Sequence, residues 1–223
     1  MKSPSETKGF FVLWNFKFSP NFKSSPLKAK KNVFLLSEYN SELPMSQKVL
    51  LNATEINIAL NRLACQLIEK HDDFSKTVLI GIQPRGVYLA ERLKTLLENE
   101  YKIKDIKLGY LDITFYRDDF RRTEKPLEAS KTRIDFIVED KNVVFIDDVL
   151  FTGRSIRSAL TAMQSFGRPL EIELLTLIDR RFSRHLPIQP DYRGRQVDAI
   201  NGEKVKVCWK ENDGEDAVYL VKN

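Results

Sequence analysis

Apolar and polar positions change period several times along the chain. After Asn52, the residues Ile56, Leu60, Leu63, Ala64, Leu67 and Ile68 recur at three- and four-residue spacing. This predicts a helix with one buried face, capped by Asn52 and ending near His71. Residues 77–82 form a short apolar run and predict a buried strand, and residues 86–98 carry the pattern of an amphipathic helix. Residues 106–113 again read as a strand, whereas residues 116–132 are polar and without period. A connection of that length in a compact domain is usually a functional lid. Strands are expected at about 134–138 and 142–147, a helix over 154–166 and a strand over 170–178. Such alternation of strand and helix implies an α/β fold with a mostly parallel sheet and helices on both faces. Short strands near 193–199, 204–209 and 217–221 are expected to form a small hood or sheet extension.

Composition narrows the class. The 223 residues allow one generous domain, or a domain with an appendage. Residues 1–44 mix Lys, Ser, Pro and Asn with scattered aromatics and keep no period for long, so they read as a peripheral or disordered extension, and residues 45–223 as the domain. The formal charge of +5 is concentrated in that extension: seven Lys against three acids give it +4, leaving 29 basic and 28 acidic residues (+1) for the remainder. No apolar stretch reaches membrane-spanning length and the start lacks a signal-peptide layout, so a cytosolic location without membrane attachment is expected. Cys65 and Cys208 fall in apolar patterns and read as buried thiols.

Chemistry is concentrated in residues 143–155. Val143 to Ile146 has the unbroken apolar character of a strand buried on both faces, which carries Asp147 and Asp148 to its carboxyl end. Two carboxylates there can accept hydrogen bonds from a vicinal diol. Thr152, Gly153, Arg154 and Ser155 follow, offering backbone N–H groups, hydroxyls and a helix N-terminus to a dianionic phosphate. Diol at one end and phosphate at the other describe a ribose 5-phosphate. Gly81-Ile-Gln-Pro-Arg-Gly86 lies between a strand and a helix, facing the same sheet edge, and suits a pyrophosphate group. Tyr116, Arg117, Asp118 and Asp119 stand where a lid could fold over a ligand and exclude water. In the loop after the last core strand, Arg180 can donate to a base carbonyl and Tyr192 can stack. His71 and His185 lie far apart in sequence and receive no role.

Four segments, 81–86, 111–120, 143–155 and 179–194, together resemble the bifunctional pyrimidine operon attenuator and uracil phosphoribosyltransferase family. The resemblance implies a type I phosphoribosyltransferase fold, with a Rossmann-like sheet and a hood. It implies transfer of ribose 5-phosphate from phosphoribosyl diphosphate to uracil with Mg²⁺, giving UMP and pyrophosphate. Asp147 and Asp148 would bind the ribose hydroxyls, touching the metal only through substrate or water, and the turn from Val149, Leu150 and Phe151 through Thr152 to Ser155 would hold the substrate and its 5-phosphate. Pro84, Arg85 and Gly86 would take pyrophosphate across a cis Gln83–Pro84 bond, Arg117 would arrive with the lid, and Arg180 would lie at the base. Phe151 stands where 6-oxopurine enzymes carry an acid, which argues against a purine substrate. The family also assembles as homo-oligomers, and its members commonly bind pyrimidine-operon leader RNA. Here Asn57, Ile58, Asn61, Cys65 and Gln189 replace some of the basic or histidine side chains expected on that surface, while Arg62, Arg181, Arg184, Arg193 and Arg195 remain. The rival readings are an RNA-binding regulator with little catalysis and a purine enzyme.

Overall fold

The structure is a computed structural model that describes residues 47–118, 129–199 and 202–222. The expectations for residues 1–44, and for Asp119 with most of the long polar loop, lie outside the described residues. The chain runs through β1 (Gln47–Leu51), α1 (Ala53–His71), β2 (Thr77–Ile82), α2 (Gly86–Asn99) and β3 (Lys107–Leu111). A 3₁₀ turn (Thr114–Tyr116) follows, then β4 (Asn142–Leu150), α3 (Arg154–Met163), β5 (Glu171–Arg181), β6 (Tyr192–Asp198), β7 (Glu203–Cys208), α4 (Lys210–Asp213) and β8 (Ala217–Lys222).

Five strands form a parallel sheet in the order β3-β2-β4-β5-β6. Its central strands are buried on both sides, so successive residues feed two different cores. Leu79, Val144, Ile146, Leu175 and Leu177 meet the apolar faces of α1 and α2. Val78, Ile80, Ile82, Val143, Phe145 and Leu174 meet Ile156, Ala159, Ala162 and Met163 of α3. The period-two alternation of a strand therefore becomes an unbroken apolar run when both faces are covered. Helix α1 begins as its sequence signals: Asn52 accepts from the Glu55 N–H at 3.0 Å, and Glu55 accepts from the Asn52 N–H at 2.9 Å. Such a reciprocal cap satisfies two backbone donors that the helix itself cannot.

Three expectations are corrected. Residues 134–138 form no strand; one isolated bridge joins Arg133 to Tyr110. Ile134 and Phe136 instead fill the space left beside Gly109, so their alternation serves packing over the edge strand. Helix α3 ends at Met163, before a turn through Gly167 at a φ of 133°, a conformation open to glycine. The strand expected at 193–199 belongs to the main sheet, and the hood is the antiparallel sheet β1-β8-β7, to which the unforeseen strand β1 contributes.

Candidate functional site

The site lies at the carboxyl ends of β2, β4 and β5, where a parallel sheet leaves a crevice between its helix layers. Strand β4 runs on to Leu150, so Asp147 and Asp148 are inside the strand and project to opposite sides. Asp147 lines an open cleft with Arg117, Asp118, Val149, Leu150 and Phe151, closed at its far end by Thr152, Gly153, Arg154 and Ser155. Asp148, expected to share the ribose hydroxyls with Asp147, turns instead to the other side and receives the Arg85 Nε–H at 3.2 Å. The two acids remain coupled through the Asp148 N–H, which donates to Asp147 Oδ1 at 2.9 Å. Burial first, and the Asp148 charge second, push the Asp147 carboxyl well above its ordinary value. Burial also raises Asp148, against the opposing pull of Arg85.

The turn from Thr152 to Ser155 has the form its residues imply. Gly153 adopts a left-handed φ of 88° immediately before Arg154 opens α3, and a Cβ there would press on Ile188 at 3.2 Å. The turn thus delivers the helix N-terminus, whose first N–H groups have no partner within the helix, to the cleft. On the neighbouring loop Gln83–Pro84 is cis, as expected. Gly86 packs against β4 so closely that a Cβ would fall on the Ile146 carbonyl and within 3.0 Å of Asp147 Cα. Only glycine lets α2 start beside the acid pair. Arg85 is nevertheless occupied: besides Asp148 it donates to Asp213 of α4 at 2.8 Å and to the Val207 carbonyl. Burial lowers the Arg85 pKa, but the Asp213 and Asp148 carboxylates outweigh it and the net shift is upward.

The root of the long loop is fastened to α3. Asp118 bridges Arg157 at 2.8 Å and Arg154 at 3.4 Å, and Ser158 Oγ donates to the Tyr116 carbonyl at 3.1 Å. Asp112, which the sequence did not single out, accepts from the Thr114 N–H and hydroxyl at one end of the loop and from the Ser130 N–H at the other. A buried carboxylate that closes a loop carries no motif of its own, so only the fold reveals it. Arg184, expected among the basic side chains of an RNA-facing surface, is instead engaged within the fold. It donates to the Leu150, Phe151, Arg180 and Ile188 carbonyls and pairs with Asp179, tying the loop after β5 to the turn after β4.

Arg180 lies behind Phe151, its guanidinium carbon 3.9 Å from the ring centroid. Tyr192 is corrected. It begins β6 and faces α1, where its hydroxyl donates to Glu173 at 2.7 Å and meets His71 Nε2 at 3.1 Å. The phenol fills a buried polar network beneath the sheet and stacks on nothing at the carboxyl edge. Cys208 is buried as expected, whereas Cys65 is exposed, with its sulfur 3.2 Å from the Tyr101 hydroxyl.

Comparison with known proteins agrees with this geometry. Residues 46–212 match the phosphoribosyl transferase domain. A "Bifunctional protein PyrR" from Gloeothece citriformis is 46% identical over 180 residues, covering 81% of this chain and 100% of that relative. A protein of the same name from Desulfosudis oleivorans is 44% identical over 170 residues, covering 76% of this chain and 93% of the relative. Among solved structures, the hypoxanthine phosphoribosyltransferases of Staphylococcus aureus (TM-score 0.58, 21% identity, covering 78% of this chain and 92% of that one) and Trypanosoma cruzi (TM-score 0.60, 14% identity, covering 78% and 96%) share the fold. The acid pair, the Thr152–Ser155 turn and the Gly81–Gly86 loop at one sheet edge, together with these matches, make the chain a member of the phosphoribosyl transferase domain family and, within it, of the bifunctional PyrR proteins.

Proposed function

We propose that the protein transfers ribose 5-phosphate from phosphoribosyl diphosphate to uracil, giving UMP and diphosphate. The observation that carries this reading is the shared cleft of Asp147 and the Thr152–Ser155 turn, a diol acceptor and a phosphate cradle on one wall. In this reading Asp147 accepts from the ribose hydroxyls and the turn binds the 5-phosphate. Arg85, steered by Asp148, faces the departing diphosphate, and Arg117 lies on the cleft side of the long loop. The anomeric C–O bond breaks with its electron pair leaving on diphosphate, the uracil N1–C1′ bond forms, and the N1 proton is released. Preorganised positive charge near the leaving oxygen, and exclusion of water by the loop, favour transfer over hydrolysis.

Mg²⁺ fits the donors available. Among the described residues no cluster of three or more His, Cys, Asp or Glu could cage a metal, whereas Mg²⁺ is commonly held by one or two carboxylates together with waters and substrate phosphates. Asp147 would meet the ion through water or substrate, and the ion would neutralise the diphosphate. Incubation with phosphoribosyl diphosphate and each of uracil, orotate, hypoxanthine and guanine tests the proposal. The expected product is UMP alone, and preference for a purine overturns the substrate assignment.

A second activity, UMP-responsive binding of a pyrimidine-leader RNA, is supported by the exposed Arg181 of β5 and Arg193 and Arg195 of β6. Arg181 and Arg193 are partly neutralised by Asp198 and Asp179, so weak, strongly salt-dependent binding is expected. The proposal includes a homo-oligomer, checked by sedimentation. Among the described residues no helix is long and apolar enough to cross a membrane.

A further inference from the structure

Phe151 is an exception among the residues of the cleft. The positions around it are small, polar or aliphatic, yet this phenyl ring is 44% exposed at the cleft mouth. An exposed aromatic side chain normally turns among rotamers on a picosecond to nanosecond scale. Two arginines oppose that here. Arg184 donates to the Phe151 carbonyl and to the Leu150 carbonyl before it, which holds the backbone. Arg180 covers one face of the ring with its guanidinium. Arg180 is itself immobilised: it is only 6% exposed, and one terminal nitrogen donates to the Glu203 carbonyl at 2.9 Å where β7 begins in the hood. A guanidinium lying over a ring is drawn to the ring face and restrains the ring's position. With one face capped, the ring presents its other face and its edge to the cleft.

We propose that Arg180 is a positioning residue for the base: it holds Phe151 as a flat wall against which the pyrimidine lies, and so sets uracil binding through the ring. The inference rests on the uracil-transfer reading above and deepens it. It assigns base selection to an aromatic surface tied to the hood, and it differs from a direct hydrogen bond between Arg180 and a base carbonyl. A stacked wall recognises a flat ring by its face.

A double-mutant cycle separates the two roles. The variants are Arg180→Lys, Phe151→Leu and the pair, each checked for an unchanged melting temperature, with steady-state kinetics for uracil and for phosphoribosyl diphosphate. In the Phe151 protein, Arg180→Lys is expected to raise the KM for uracil about tenfold, with kcat and the KM for phosphoribosyl diphosphate within about twofold. In the Phe151→Leu background the same change is expected to do almost nothing, because the ring it acts through is gone. An equal rise in both backgrounds overturns the inference and assigns Arg180 a direct contact. Phe151→Tyr, which keeps the ring, gives an independent check: it is expected to retain the wild-type KM for uracil, and a loss as large as that of Phe151→Leu also overturns the inference. A wild-type protein that binds phosphoribosyl diphosphate yet turns over no uracil defeats the underlying reading, and the inference with it. A failure confined to the cycle leaves that reading standing.

Discussion

Asp147 and Asp148 are neighbours in the chain with different duties, because a strand sends consecutive side chains to opposite sides. Asp147 meets the cleft and Asp148 meets Arg85. Burial and the adjacent charge raise the Asp147 pKa in the folded protein, so its ionised form costs stability that the unfolded chain does not lose. The stability this residue contributes is present below the unfolded carboxyl value of about 3.9 and is lost as pH rises through the folded value. Asp147→Asn is therefore expected to raise the melting temperature at pH 7, with the gain fading toward about pH 4. The same change should lower kcat/KM by about 10- to 100-fold, the range for losing a charged hydrogen-bond acceptor. Lower stability at neutral pH, or intact activity, would contradict this assignment. The acid pair, the Thr-Gly turn and Gly86 were legible as residues because each performs a task that few side chains can. Tyr192 was misread because an aromatic near the site in sequence says nothing about which face of a strand it occupies.

At the scale of elements, local signals located most helices and strands to within a few residues. Asn52 with Glu55 marked the start of α1, and the apolar run 77–82 marked β2. Residues 134–138 had equally good alternation, but beside the edge strand β3 the chain pairs only once, at Arg133 with Tyr110, and pairing is a property of two segments. Helix α4 is too short to show a period, yet its Asp213 accepts from both Arg85 and the Trp209 N–H and joins the hood to the loop between β2 and α2, where diphosphate is proposed to bind. An incoming diphosphate must compete with this carboxylate for Arg85. Asp213→Asn is expected to tighten binding of inorganic diphosphate up to about fivefold in low-salt calorimetry, the scale of one partly exposed ion pair. Unchanged or weaker binding would show that the Arg85–Asp213 contact does not restrain the loop.

For the molecule as a whole, the sheet separates a catalytic edge from a buried polar network near its opposite edge. His71 at the end of α1 meets Thr77 of β2 through Nδ1 at 3.1 Å and Glu173 of β5 through Nε2 at 2.9 Å, with Tyr192 of β6 on the same nitrogen. Lys70 reaches Glu173 from outside. Burial lowers the His71 pKa, against the pull of Glu173. Its stabilising contribution is therefore complete above the unfolded value of about 6.5 and declines as pH falls below it, because the unfolded chain binds the proton first. Asp147 acts in the opposite direction over this range, so the contribution of His71 is read as a difference in slope: from pH 7 to pH 5 the melting temperature of His71→Gln should fall less, or rise more, than that of the unsubstituted protein. An identical slope in the variant would remove His71 as its source. The amino-acid sequence by itself determined the βα alternation, the phosphate turn and the acid pair, because each depends on spacing within one short segment. Tertiary structure alone decided that Arg85 is shared with the hood, that Arg180 lies behind Phe151 and that Tyr192 joins a core network. Those facts depend on the register of strands distant in the chain, and register is settled by the summed burial of both sheet faces, which no single segment encodes.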